Sequence, residues 1–363
     1  MTEIEEALLK IPAKKLKKIV QDEEKTALAA NLVYVSDTQE GIERRPKGKT
    51  FAYYFRDKIV KDDEDLVRIK SLVIPPAWER VWICKDANGH LQVTGYDVRG
   101  RKQYKYHPNW SVIRNRTKFY RMIEFGKALP AIRKRLAEDL GKKELTLNKV
   151  LAASVSVMEK TGIRIGNSFY EKEYKSYGLT TLKDKHVAIQ QNKAFFTFKG
   201  KKGVKQTLEL KNRKLARIIK QCQDIPGKEL FQFYDEEGAR HSIDSGMVNE
   251  YIKDISGADF TAKDFRTWTG TVRALMALQQ IDCGETVTER KKSIVEAIDQ
   301  VAMYLGNTRT VCKKYYIHPD IFTLYESKQL DKYLTPPVIF DEDDEACYLS
   351  VESSLMKILE GKK

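Results

Sequence analysis

Four short stretches of this 363-residue sequence carry side chains whose types suit one reaction. Arg164, in "KTGIRIGN", stands where a helical pattern gives way to Gly166 and Asn167, so its guanidinium leaves a constrained turn. Lys201, in "FTFKGKKGVK", occupies a glycine-flanked turn between strand-like runs. Arg266, in "KDFRTW", falls in the first turn of a helix that begins near Thr261. The helix dipole favours anions there, so an arginine suggests a ligand anion drawn to the same helix end. Tyr315 and Tyr316 close the basic run "LGNTRTVCKKYYIHP". Taken singly, each cation reads as a solvated charge or a salt-bridge partner, and each tyrosine as a packing aromatic. Taken together, they suit transfer of a phosphodiester to a tyrosine oxygen through a pentacoordinate phosphorane. Two guanidiniums can clamp its non-bridging oxygens bidentately. A phenol, with an ordinary pKa of about 10, attacks more readily where cations favour phenolate. A lysine of lowered pKa can protonate the departing 5′ oxygen. Residue types alone do not choose between the two tyrosines.

The elements that must position these groups change character along the chain. To about Leu32 the pattern is helical and basic, with "KKLKKIV" mixing lysines and aliphatics. From there to "KYHP", short runs rich in Val, Tyr, Phe and Trp alternate with Gly, Asp and Asn turns, as in a small antiparallel sheet. "DANGH" holds an Asn88-Gly89 hairpin signal, and "DEDLVRIKSLVIPPAW" predicts one short helix stopped by Pro75 and Pro76. Beyond "YHPNW" the sequence is mostly helical. Leu147, Leu151, Val155 and Met158 share one helical face, as do Phe265, Trp268, Val272 and Leu275. Ile294, Ile298, Val301 and Leu305 mark a third helix that Gly306 ends, and Thr261 with Asp264 resembles a capping box. The stretch "HVAIQQNKAFFTFKGKKGVKQTLEL" interrupts the helices with a two- or three-stranded sheet. The expected fold is α+β: a β-rich domain over residues 1–110 and a mainly helical domain over 111–363.

Composition narrows the partner. The chain carries 65 Lys and Arg against 51 Asp and Glu, a net charge of +14, which favours a polyanion. Five scattered cysteines without a C-x-x-C pair predict reduced thiols, and neither P-loop, G-x-G-x-x-G nor H-E-x-x-H occurs. No cofactor or metal is therefore expected. The start lacks a signal-peptide pattern and no apolar run approaches a membrane span, so a cytosolic protein is expected. In "GRKQYKYHP", an extended strand would put Arg101, Gln103 and Lys105 on one side and Lys102, Tyr104 and Tyr106 on the other. Such a strand can enter a major groove, where Gln pairs with an adenine edge, although a solvated basic strand would look the same.

The ordered set "LVYVSD", "IPPAW", "VWIC", "GRKQYKYHP", "IRIGN", "GLTTLKDKHV", "FRTW" and "LGNTRTVCKKYYIHP" resembles the type IB DNA topoisomerases, especially the poxvirus-type enzymes and their bacterial relatives. The likeness runs from about Leu32 to Pro319. It implies that Arg164 and Arg266 are the clamping arginines and Lys201 the general acid, with Lys199 and Lys202 as close competitors. The family places a histidine nine residues before its nucleophilic tyrosine, and here that spacing joins Asn307 to Tyr316. Tyr316 is thus the implied nucleophile and Tyr315 a packing residue. Asn307 can donate a hydrogen bond but cannot carry charge. Gln103, Tyr104 and Tyr106 fall where the family contacts DNA, which makes the basic strand that also carries Arg101 and Lys102 a DNA reader, and Arg309, Lys313 and Lys314 read as a cradle for the backbone. The resemblance further implies a monomeric C-shaped clamp that closes on duplex DNA, preferably supercoiled, relaxes it through a 3′-phosphotyrosine, and resides with the nucleoid. A tyrosine recombinase shares this chemistry but carries H-x-x-R at the second arginine, where this chain has "KDFR". A DNA binder without catalysis would leave the co-occurrence of these groups to chance.

Overall fold

The computed structural model describes residues 23–48, 50–98, 100, 102–334 and 345–361, with the backbone alone at 114–118 and 120. Arg101, most of the basic lead-in and most of the acidic "DEDDE" stretch lie outside the described residues. The chain divides into two compact units, 1–121 and 122–363.

In the first unit, helix α1 (Glu23–Ala29) precedes strands β1 (Ile42–Lys47), β2 (Thr50–Phe55) and β3 (Lys58–Ile59). Helix α2 (Asp63–Ser71) and strands β4 (Glu79–Ile83), β5 (Leu91–Tyr96) and β6 (Lys102–Tyr106) follow. The six strands form one antiparallel sheet in the order β3-β2-β1-β4-β5-β6. Ile42, Val81, Ile83 and Val93 face α2 through Ile69, the only fully buried residue of that helix. Asp62 caps α2 by accepting the Glu64 and Asp65 N–H groups. Arg44, 8% exposed, lies over the Phe51 ring and donates to the Pro75 and Trp78 carbonyls, which pins the Pro75-Pro76 turn. The Asn88-Gly89 pair does not make a two-residue hairpin. β4 ends at Ile83 and β5 begins at Leu91, because the intervening loop instead pairs with the incoming chain at Val33, through Val33 N–H to the Asn88 carbonyl and His90 N–H to the Val33 carbonyl.

Helix α3 (Pro108–Gly141) carries the chain into the second unit, where α4 (Leu147–Thr161) and α5 (Ser168–Tyr174) lead into strands β7 (Val187–Gln190), β8 (Lys193–Lys199) and β9 (Lys205–Lys211). These strands form the expected antiparallel sheet, three-stranded, in the order β7-β8-β9. Next come α6 (Arg213–Gln223), a small hairpin of β10 (Gln232–Tyr234) and β11 (Arg240–Ser242), and α7 (Ser245–Ser256). The chain continues through α8 (Ala262–Gln280), α9 (Val287–Leu305), α10 (Arg309–Tyr315), α11 (Pro319–Glu326) and α12 (Glu345–Glu360). The Asp264 carboxylate takes both the N–H and the hydroxyl of Thr261, so the capping box forms.

The periodicity of α4 and α8 points to one apolar face each, yet both helices are buried almost all round. In α4 even Ala152, Ser154 and Ser156 are covered, because α6, α7, α8, β9 and β10 pack against it. In α8 Thr267, Thr269, Gly270 and Thr271 are buried beside the apolar residues, under α4, α7, α9, α11 and α12. Small and hydroxylated residues can be buried in helices because the hydroxyl returns its hydrogen bond to the carbonyl four residues back, as Thr271 does to Thr267. Phe125 of α3 fills the space beside α8, edge-on to Phe260, Phe265 and Trp268.

Candidate active site

Arg266 is the fifth residue of α8, beyond the first turn in which the sequence reading places it, and its side chain is only 5% exposed. It turns to the carbonyls of Gly162 and, at 3.0 Å, Leu305, which end α4 and α9. A helix C-terminus presents unpaired carbonyls and a partial negative charge, so the arginine is held by the dipoles of two other helices. Arg164 is treated alike: its Nη2 donates to the Gly306 carbonyl at 2.9 Å and to Asn307 Oδ1. No carboxylate is among these partners. Burial, aided by the neighbouring charge of Arg266, pulls Arg164 down to about 10. Burial lowers Arg266 too, against the opposing influence of the Tyr316 phenol.

Gly306 ends α9 in the left-handed region, φ 58°, and the chain turns so that Asn307 meets Arg164. Because Arg164 occupies Oδ1, the amide orientation is fixed and Nδ2 faces the other way. That Nδ2 is buried and has no partner of hydrogen-bonding geometry. Beside it, burial pushes the Cys312 thiol up to about 11, while Arg266, the Asn307 amide and Arg164 pull the other way. Thr308 then caps α10, whose two turns bring the chain back to the arginines. Tyr316 is the C-cap of α10, half-buried, with its ring centroid 5.1 Å from the Arg266 guanidinium. Tyr315, expected to pack, is 40% exposed, with the Lys314 ammonium 5.4 Å from its ring. Successive residues of a helical turn point about 100° apart, and Tyr316 takes the inward direction.

Arg164 is presented by two close backbone contacts. A Cβ on Gly178 would stand 2.6 Å from Gly166 Cα and 2.7 Å from the Arg164 carbonyl, so only glycine lets these loops meet. Leu179 and Thr180 N–H groups then bond to the Arg164 and Ile165 carbonyls, both at 2.8 Å. Tyr177 N–H reaches the Lys199 carbonyl, which ties the same loop to the β8–β9 hairpin. A narrow cleft results, lined by Arg164, Arg266, Gly200, Gln206 and Tyr304 among others. Lys201 follows Gly200 directly and is exposed at the hairpin turn, where Lys202 adopts φ 61°. The structure thus gathers Arg164, Arg266, Asn307 and Tyr316, and leaves Lys201 at the rim. A larger cavity of about 780 Å³ shares Gln206 and Tyr304 with the cleft but includes none of those four gathered residues.

Lys313 and Lys314 are exposed on α10, whereas Arg309 is engaged by Asp299 at 2.6 Å. In the first unit, β6 divides its faces as the alternation predicts. Lys102 lies 5.7 Å from the Tyr104 ring, and Tyr104 stacks on Tyr106 with centroids 6.1 Å apart. Lys102 is paired with Asp37 at 2.5 Å, and the Gln103 amide donates to Asp97 on the other face. Two further residues touch Tyr316 that the sequence does not mark, Gly270 and Thr271. Their only signal is a glycine inside an otherwise regular helix. Among the described residues, no group of three or more His, Cys, Asp or Glu could hold a metal, and no helix is long and apolar enough to cross a membrane.

Two family models match the chain: the catalytic core of eukaryotic DNA topoisomerase I over residues 107–335, and the N-terminal domain of bacterial DNA topoisomerase IB over residues 50–97. Among known proteins, DNA topoisomerase 1B of Acanthamoeba polyphaga mimivirus is 32% identical over 296 residues, 79% of this chain and 88% of the relative. DNA topoisomerase 1B of vaccinia virus (strain Copenhagen) is 25% identical over 253 residues, 69% of this chain and 77% of the relative. The core match covers the helical unit in which the arginines, the asparagine and the tyrosine converge, and the likeness to the mimivirus protein extends along most of both chains: this chain belongs to the type IB DNA topoisomerase family.

Proposed function

We propose that the chain relaxes supercoiled duplex DNA without ATP or a metal ion, opening one strand at a time through Tyr316. The observation that carries this reading is the pairing of Arg266 with the Tyr316 ring, 5.1 Å away, while Arg164 holds Asn307. The Tyr316 oxygen attacks phosphorus, the bond to the 5′ oxygen breaks, and the phenolic proton passes to solvent water. Arg164 and Arg266 offset the extra negative charge on the non-bridging oxygens. The buried Asn307 Nδ2 donates to one of them as a neutral group, and Lys201 gives the 5′ oxygen its proton. The 3′-phosphotyrosine conserves the energy of the broken bond, so the freed 5′ hydroxyl reseals the strand after rotation with no outside energy.

The finer features rest on family membership. The two units form a C-shaped clamp on the duplex, acting as a monomer in the cytoplasm beside the nucleoid. Gln103, Tyr104 and Tyr106 read a groove while Lys102, Lys313 and Lys314 hold phosphates. The exposure of Tyr104 and of both α10 lysines suits that role.

The test is relaxation of positively and negatively supercoiled plasmid in EDTA without ATP. Wild type and Tyr315→Phe should relax both and Tyr316→Phe neither. Relaxation by Tyr316→Phe would remove the nucleophile assignment, and an inert wild type would remove the activity.

A further inference from the structure

The attacking oxygen needs an aim as well as a charge, and Tyr316 sits where α10 supplies little of either. Its φ of −129° and ψ of −6° are outside the helical values, and its N–H bonds to the Cys312 carbonyl at 2.9 Å. Further contacts come from α8. The Thr271 hydroxyl, fully buried, lies 3.2 Å from the Tyr316 carbonyl and accepts the His318 N–H at 3.1 Å. One hydroxyl therefore fixes the chain on both sides of Ile317, dividing its single proton between the Tyr316 carbonyl and that of Thr267, 3.0 Å away. Directly beneath, Gly270 leaves a recess. A Cβ there would stand 2.6 Å from the Tyr316 carbonyl oxygen and 3.1 Å from Tyr316 Cβ.

We infer that Gly270 and Thr271 are positioning residues that set the line of attack of Tyr316, an inference that rests on Tyr316 being the nucleophile. Arg266 and Gly270, four residues apart, share a face of one helix, and Thr271 is the next residue of that helix. The cation that stabilises the phosphorane and the seat of the group that forms it are thus one rigid body. The distance between them does not depend on how the α10 loop moves. A displacement of about 1 Å is enough to cost roughly 100-fold in rate when a nucleophile must be held in line.

The measurement is single-turnover cleavage of a nicked duplex, from which the cut fragment escapes, at saturating enzyme, with duplex affinity and thermal melting measured on the same samples. Gly270→Ala should slow cleavage about 100-fold with affinity within about threefold of wild type. Thr271→Val, which keeps the volume and removes the hydroxyl, should slow cleavage about 10-fold or more, and Thr271→Ser should restore it to within about threefold. If Gly270→Ala does not fold, the Val and Ser pair decides alone. Cleavage by Gly270→Ala at the wild-type rate overturns the inference. So does a Thr271→Val variant that melts earlier yet cleaves normally once folded, or equal slowing by Val and Ser. Each of those results leaves Tyr316 in place as nucleophile, whereas cleavage by Tyr316→Phe removes the reading beneath it.

Discussion

A neutral amide at position 307 separates two properties that a charged group would join. Arg164 is bound to Oδ1, and Nδ2 is left buried without a partner. Asn307→Asp places a second anionic oxygen where Nδ2 stands, so it satisfies Arg164 and Arg266 and repels phosphate. We expect the melting temperature to rise by ~2–4 °C for each kcal/mol gained, while single-turnover cleavage falls at least ~100-fold. A stability loss in that variant would contradict the geometry. Arg164 offers a second test. Burial and the charge of Arg266 pull its pKa down to about 10, which marks the cost of keeping this guanidinium charged where no carboxylate answers it. Arg164→Met removes that buried charge, so it should melt no earlier than wild type while single-turnover cleavage falls at least ~100-fold.

Helix ends govern the site at the scale of elements. α4 and α9 stop in left-handed glycines, Gly162 at φ 62° and Gly306 at φ 58°, and the carbonyls exposed there are the ones the arginines take. Gly306→Ala brings a Cβ onto the Gln206 amide and into a conformation that costs about 1–2 kcal/mol for a residue other than glycine. It should lower stability by at least that amount in urea melts and weaken cleavage by moving Asn307. Local rules made these ends legible. Gly306 after an apolar-periodic run, Thr261 with Asp264, and the alternation of the β8–β9 hairpin all formed as patterned. What stayed hidden depended on contacts between distant segments. Periodicity shows one face of α8 but not that five other elements cover the rest. The Asn88-Gly89 turn signal was overruled because Val33 competed for the loop's backbone. Family spacing singled out Tyr316. That Tyr315 is exposed depends on which direction of the last α10 turn meets Arg266, and no local pattern encodes it.

Across the whole molecule, a net charge of +14 sets how binding responds to salt. Each phosphate neutralised releases counterions, so log affinity should fall against log salt with a slope of about −0.9 per phosphate contact. Five contacts give a slope near −4.5, read from duplex titrations between low and moderate salt. Lys313→Ala with Lys314→Ala should flatten it by nearly two units without changing the cleavage step at saturation. The charge is least offset where carbonyl oxygens, not carboxylates, surround Arg164 and Arg266. A pair so placed is never neutralised from within, so the protein folds around a repulsion that only a substrate phosphate relieves. Replacing a buried cation of this kind with a well-packed apolar side chain often strengthens a fold. A lineage or a laboratory screen rewarded for heat resistance alone would therefore be drawn to discard the residues the reaction needs, and they persist only while turnover itself is under selection.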